Sequence, residues 1–209
     1  MKLAVVCANG KEGKLIVEEA RARGLDVTAV VRGADRSGAE KAIVKDVFDL
    51  TAEDLKGFDV VVDAFGAWTP ETIPGIPAAV RQLCGLLRGT DTRLLIVGGA
   101  GSLYVDPAHT ACVADGPDFP DAFKPLAAAH AEALDYLRTQ RDVRWTYVSP
   151  AADFQADGAR TGGYVLGGEE LTLDANGESV VSYADFAIAM VDEAVSAAHV
   201  GQRISVVRK

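Results

Sequence analysis

The segment Met1–Arg32 constrains the fold more than any other part of the chain, and Cys7-Ala8-Asn9-Gly10-Lys11-Glu12-Gly13 is its centre. Before it, Leu3-Ala4-Val5-Val6 is an unbroken apolar run, the pattern of a strand covered on both faces. After it, Lys14 to Arg23 is rich in helix formers and stops at Gly24, where a helix-ending glycine belongs. Val27-Thr28-Ala29-Val30-Val31 is a second apolar run, closed by Arg32. Strand, glycine turn, helix and strand within about thirty residues make a βαβ unit. Its turn presents backbone N–H groups and a helix N-terminus, an arrangement that suits a pyrophosphate.

The glycines of such a turn follow G-x-G-x-x-G or G-x-x-G-x-x-G. Gly10 and Gly13 fill the second and third places of the longer form, and Cys7 stands in the first. Glycine there serves the tight turn leaving the strand. Cysteine implies a backbone conformation open to a residue with a Cβ.

Strands and helices keep alternating. Ala42-Ile43-Val44, Asp59 to Ala64, Arg93 to Val97 and Arg144 to Val148 read as strands. Ile76, Ala79, Val80, Leu83 and Leu87 have amphipathic helical spacing, as do Leu126, Ala129, Ala133, Leu134 and Leu137 between Lys124 and Gln140. Thr51 is placed to accept at the N-cap of a helical turn over Thr51–Asp54. The last third predicts short strands near Leu171 and Val180, a helix from Tyr183 to about Ala197 and a strand at Arg203–Val207. Ser182-x-x-Asp185 opens that helix as a capping signature. The order predicts one α/β domain over residues 1–209: a doubly wound, mostly parallel Rossmann sheet with helices on both faces. Three long loops, 66–75, 100–123 and 151–170, follow strand C-termini, on the side where ligands bind.

A formal net charge of −9 argues against a nucleic-acid partner, which needs a basic face. No run approaches a membrane span, and the N-terminus enters a strand directly, leaving no room for a signal peptide. Cys7, Cys84 and Cys112 are far apart and read as reduced thiols, which places the chain in the cytoplasm. Scattered cysteines and His109, His130 and His199 predict no metal site.

Several stretches together resemble the atypical short-chain dehydrogenase/reductases, specifically the NmrA-like, NADH–flavin reductase group. They are Ala8 to Gly13, Val97-Gly98-Gly99-Ala100-Gly101-Ser102-Leu103, Trp145 to Pro150, Arg160-Thr161-Gly162-Gly163-Tyr164, and Gly177-Glu178-Ser179 followed by Ser182 to Ala187. The resemblance spans nearly the whole chain. It implies an NAD(P)-binding domain whose cofactor contacts fall on Ala8, Asn9, Gly10, Lys11, Glu12, Gly13, Arg32, Asp46, Val47, Ala64, Phe65, Gly66, Gly98, Gly99, Ser149 and Pro150. Asp46 and Val47 match the place where related proteins contact adenine; Asp46 is equally suited to capping a loop.

Arg32 closes the second strand about twenty residues beyond the turn, where an NAD-specific site carries a carboxylate for the ribose 2′-OH. A guanidinium there suits a 2′-phosphate and predicts a preference for NADP(H) over NAD(H). A solvated arginine at a strand end is the plainer alternative. Catalysis is less legible, because the chain lacks the Tyr-x-x-x-Lys pair of the superfamily. Setting Glu132-Ala133-Leu134 on the family pattern puts Lys124 at the tyrosine place and Ala128 at the lysine place. Ser102, Tyr104 and Lys124 are the remaining candidates for a catalytic acid, each also suited to a structural role. Trp68 and Phe65 are candidates to stack on a ring, and Arg160 to bind an anion. Two functions stay open: reduction of a planar acceptor such as flavin or quinone by NADPH, and a non-catalytic redox sensor. A small-molecule substrate is expected; homo-oligomerisation does not follow from the sequence.

Overall fold

The computed structural model describes residues 1–209. Along the chain run β1 (Lys2–Val6), α1 (Lys11–Ala22), β2 (Asp26–Val31), β3 (Lys41–Val44), β4 (Val60–Asp63), α2 (Gly75–Leu87) and β5 (Arg93–Val97). Then come α3 (Lys124–Thr139), β6 (Arg144–Ser149), β7 (Asp153–Gln155), β8 (Tyr164–Gly167), β9 (Val180–Ser182), α4 (Tyr183–Ser196) and β10 (Gln202–Arg208). Eight strands form one sheet in the order β3-β2-β1-β4-β5-β6-β10-β8. All neighbours are parallel except β8, which runs antiparallel to β10. β7 and β9 pair with each other outside the sheet.

The apolar runs have a direct cause. Along β1, Leu3 and Val5 face a core built with α1 and α4, while Ala4 and Val6 face one built with α2 and α3. The two cores hold 24 and 23 buried residues, so neither face of the central strands meets water and polar residues do not alternate there. Strand order reverses at β1, with β2 on one side and β4 on the other. Parallel strands open a crevice at such a reversal, beyond their C-terminal ends. No helix is long and apolar enough to cross a membrane.

Two expectations are corrected. The strand placed near Leu171 is absent; its place in the sheet is taken by β8, inside the stretch expected to be loop. Val165 and Leu166 of β8 are both partly exposed, so this edge strand has no two-faced apolar signature. At Thr51 the cap is inverted: its N–H and hydroxyl both donate to the Asp54 carboxylate, at 2.8 and 2.7 Å.

Candidate nucleotide site

The turn between β1 and α1 is built by close backbone approach. Cys7 has φ +60°, the left-handed region that glycine enters freely and a side-chain-bearing residue enters at a cost. The expectation of an ordinary conformation at Cys7 is therefore wrong: the cysteine keeps the shape of the glycine it replaces. Its carbonyl accepts from the Gly10 N–H at 2.9 Å. A Cβ on Gly13 would lie 2.7 Å from that carbonyl oxygen and 3.0 Å from the Ala8 Cα, so α1 rests directly on the turn. Gly10 is the N-cap of α1 and no side chain caps it. The N–H groups of Lys11, Glu12 and Gly13 have no helical carbonyl before them and are open to an anion.

The side chains of the turn point elsewhere. Asn9 ties it to the segment after β2, donating to the Ala34 carbonyl at 3.0 Å and accepting from the Arg36 N–H at 2.7 Å. Lys11 is exposed, 3.8 Å from Asp157. Ala8 is buried. Glu12 is also buried, its two carboxyl oxygens have no hydrogen-bond partner, and burial pushes its pKa well above the ordinary carboxylate range.

At the end of β2, Arg32 is 82% exposed, with Nε 3.9 Å from Asp46. Asp46 caps the short 3-10 turn Val47–Asp49, accepting from the Phe48 N–H at 3.1 Å, and Val47 is buried beneath. Beyond β4, Ala64 donates to the Val6 carbonyl at 3.2 Å. Asp63 accepts from the Phe65 N–H at 3.0 Å and is wholly buried, which raises its carboxyl to about 6. Burial, with Asp63 adding to it, lifts the Cys7 thiol to about 12, far from a reactive thiolate. Phe65 packs beneath Gly75 and edge-on to Phe48, whereas Trp68, beside Gly66, is 69% exposed and offers a free ring face.

Gly98 and Gly99 leave β5 across two rings from behind. A Cβ on Gly98 would fall 2.3 Å from the Tyr147 ring, and one on Gly99 2.9 Å from His130. The Gly99 N–H donates to the Tyr147 hydroxyl at 3.0 Å, and that oxygen lies 3.3 Å from His130 Nδ1. Burial raises the Tyr147 phenol and lowers His130 to about 4, so both stay neutral. Ser149 is buried with its hydroxyl unpaired, and Pro150 is buried beside it.

The three acid candidates have other partners. Arg203 of β10 donates to the Ser102 carbonyl and hydroxyl at 2.9 and 3.0 Å, and to the Glu169 carbonyl at 2.8 Å. Its guanidinium stands 5.5 Å from the centre of the Tyr104 ring, and Tyr104 stacks on His109 at 4.1 Å. Ser102 and Tyr104 thus belong to a clamp fastening the 100–123 segment to the one after β8. Lys124, at the start of α3, is exposed and paired with Asp121 at 2.6 Å; it hydrogen-bonds neither of the others. Arg160 pairs with Glu19 at 2.8 Å. Asp185 accepts from the Thr161 N–H, the Thr161 hydroxyl and the Gly162 N–H at 2.8 to 3.0 Å, while Ser182 caps α4.

The residues present fit a dinucleotide: open N–H donors at the start of α1, an exposed arginine at one end and glycine-lined strand ends at the other. The sequence profile of the NAD(P)H-binding family matches residues 7–194. The chain belongs to this family. YwnB of Bacillus subtilis strain 168 is 44% identical over 210 residues, covering 99% of this chain and 98% of that one. A crystal structure from Streptococcus pneumoniae TIGR4, named a putative NADH-flavin reductase, is 54% identical with a TM-score of 0.98 over 100% of both chains. Another, from Burkholderia pseudomallei and named a putative exported protein, is 37% identical with a TM-score of 0.88 over 99% of each. The NAD(P)H-binding Rossmann fold and the atypical short-chain dehydrogenase/reductase resemblance are both borne out by these relatives.

Sequence reasoning missed the Tyr147–His130 support, the Arg203 clamp and the isolation of Glu12 inside the family's turn. Only the last left a signal. Glu12 opens the otherwise apolar stripe Glu12-Ile16-Ala20 of α1, where a charge is out of place.

Proposed function

We propose that the protein is an NADPH-dependent reductase acting on a planar acceptor such as flavin or quinone, in the cleft bounded by residues 66–75, 100–123 and 151–170. The observation that carries the reading is the pairing of an open α1 N-terminus with Arg32, a highly exposed guanidinium at the end of β2 whose one ion-pair partner, Asp46, stands 3.9 Å away. Bound NADPH would supply the hydride. The N–H groups of Lys11, Glu12 and Gly13 hold the diphosphate, Arg32 grips the 2′-phosphate, and Trp68 offers its exposed ring to the acceptor. The name of the Streptococcus protein supports flavin as acceptor. It also names NADH, so the expectation of NADPH rests on Arg32 alone. A flavin takes its proton from water, so positioning is the main task of the protein.

The clamp around Ser102 and Tyr104 favours a second reading, a non-catalytic sensor of the nucleotide pool, because it engages both candidate acids. NADPH oxidation with and without flavin, beside nucleotide titration, separates the two. Losing the charge-assisted Arg32 contact costs about 1.5–3 kcal/mol, so Arg32→Ala should weaken NADPH binding roughly ten- to a hundredfold and leave NADH nearly unchanged. Ser102→Ala, Tyr104→Phe and Lys124→Met should each lower turnover by no more than roughly tenfold, against the ~10²–10⁴ of a true general acid. Equal losses for both nucleotides in Arg32→Ala would refute the specificity. Tight NADPH binding with no turnover would select the sensor.

A further inference from the structure

Asn9 sits inside the turn between β1 and α1, yet its side chain makes no bond within that turn. An asparagine in a turn ordinarily bonds backbone about two residues on. Here the amide reaches to a segment 25 and 27 residues later: Nδ2 donates to the Ala34 carbonyl at 3.0 Å and Oδ1 accepts from the Arg36 N–H at 2.7 Å. The amide spends its donor and its acceptor on one stretch of backbone. Meanwhile α1 has no side-chain cap, and its first N–H groups stay open beside the tie.

The segment so held is itself ordered. Ser37 is buried, its N–H donates to Asp35 at 2.8 Å, and its hydroxyl accepts from the Ala39 N–H at 3.3 Å. Arg32 enters the segment from β2 with its Nε 3.9 Å from Asp46. Arg36 differs from it. Its backbone N–H is fixed by Asn9, while its exposed guanidinium makes no ion pair and no hydrogen bond. It is a cation anchored at the base, open at the tip and tied to the nucleotide turn.

The chemistry of the nucleotide says what such a cation meets. In NADP(H) the 2′-phosphate hangs from the adenosine ribose, one sugar away from the diphosphate. With the diphosphate at the start of α1, the 2′ position falls over the segment after β2, where Arg32 and Arg36 are the two cations between residues 32 and 40. A phosphate takes charge-assisted hydrogen bonds from both guanidinium groups; the hydroxyl of NAD(H) carries no charge to reward either.

We propose that Arg36 is a second specificity-determining residue for the 2′-phosphate and that Asn9 is the positioning residue that holds it beside the turn. This deepens the NADPH reading and rests on it. The test is equilibrium titration of the full chain with NADPH, NADH and ADP-ribose, which lacks both the 2′-phosphate and the nicotinamide, beside amide hydrogen exchange without nucleotide. Arg36→Ala should lower the ratio of NADPH to NADH affinity roughly tenfold and leave ADP-ribose binding as in wild type. Asn9→Ala should lower the same ratio roughly three- to tenfold, spare ADP-ribose, and let the Arg36 amide exchange faster. Because Asn9 acts through Arg36, the double variant should be no worse than Arg36→Ala alone. Arg36→Ala changes an exposed side chain and keeps the test readable if Asn9→Ala loses stability. Asn9→Ala weakening all three ligands alike, or adding its loss to that of Arg36→Ala, overturns the positioning role. An NADPH preference undiminished in Arg36→Ala overturns the assignment of Arg36 and leaves Arg32 to read the phosphate. A wild type that holds NADPH and NADH equally, or binds none of the three, overturns the NADPH reading and this inference together.

Discussion

Alanine at Gly13 and alanine at Gly85 should change stability in opposite directions. Both glycines are helical, and propensity alone makes either substitution favourable by about 0.5–1 kcal/mol. At Gly85, in the last turn of α2, an added Cβ meets nothing within 4 Å, so that gain should appear in full. At Gly13 the Cβ would stand 2.7 Å from the Cys7 carbonyl oxygen, about 0.7 Å inside the 3.4 Å of ordinary contact. The obstacle is backbone, which cannot swing aside, so α1 must lift from the turn. Overpacking of this kind costs about 1–3 kcal/mol, leaving Gly13→Ala about 1–2 kcal/mol less stable than wild type. For a chain of this length each kcal/mol moves the melting temperature by roughly 2–4 °C. Thermal unfolding followed by circular dichroism, without nucleotide, should show Gly13→Ala melting lower and Gly85→Ala higher. The lifted helix also carries the N–H donors away, so NADPH affinity should drop at Gly13 and hold at Gly85. A Gly13→Ala protein as stable as wild type would refute the argument that close approach, and not helix propensity, governs this position.

Two further outcomes concern Cys7 in the same turn and Asp63 at the end of β4. Cys7→Gly should change stability by less than about 1 kcal/mol, since relief of the left-handed backbone, worth about 1–2 kcal/mol, offsets lost packing and a freer unfolded chain. Cys7→Val, branched at Cβ, should cost about 2 kcal/mol or more in the same urea titration; equal stability of the two variants would count against a strained Cys7. Asp63, with its folded pKa raised from 3.8 to about 6, should make the protein lose stability as pH rises between those values, by about 3 kcal/mol in total. Asp63→Asn can still accept from the Phe65 N–H and should remove that slope, so wild type and variant should diverge in urea midpoint between about pH 4 and about pH 7. A constant difference would show that Asp63 is not the buried titrating group.

The legible features of this chain share a short range. β1, the glycine turn, α1 and β2 could be read because each is set by neighbours within a few residues and both faces of the strands are covered. What escaped is set from far away. Cys7 could be seen to replace a glycine, but not to keep the φ of a glycine, because the surrounding turn imposes the strain. Ser102 looked like an available hydroxyl until Arg203, 101 residues on, was found bonded to it. Asp185 read as part of a cap, yet its carboxylate holds Thr161 and Gly162, more than twenty residues before it. β8 was invisible because an edge strand exposed on both sides leaves no periodic mark.

β10 inserts between β6 and β8, although β8 precedes it in the chain. Until β10 arrives, β6 ends the sheet as a bare edge of unpaired backbone N–H and C=O groups, and β8 has nothing to pair with. Arg203 rides on β10, so the anchoring of Ser102 and Glu169 waits for the same event. The nucleotide end, from β1 to β5, can therefore assemble while the chain is still emerging, and the acceptor end closes afterwards in a single docking step. A chain stalled before that step would hold its dinucleotide cradle next to an open flank, competent to grip a nucleotide and prone to stick to its neighbours.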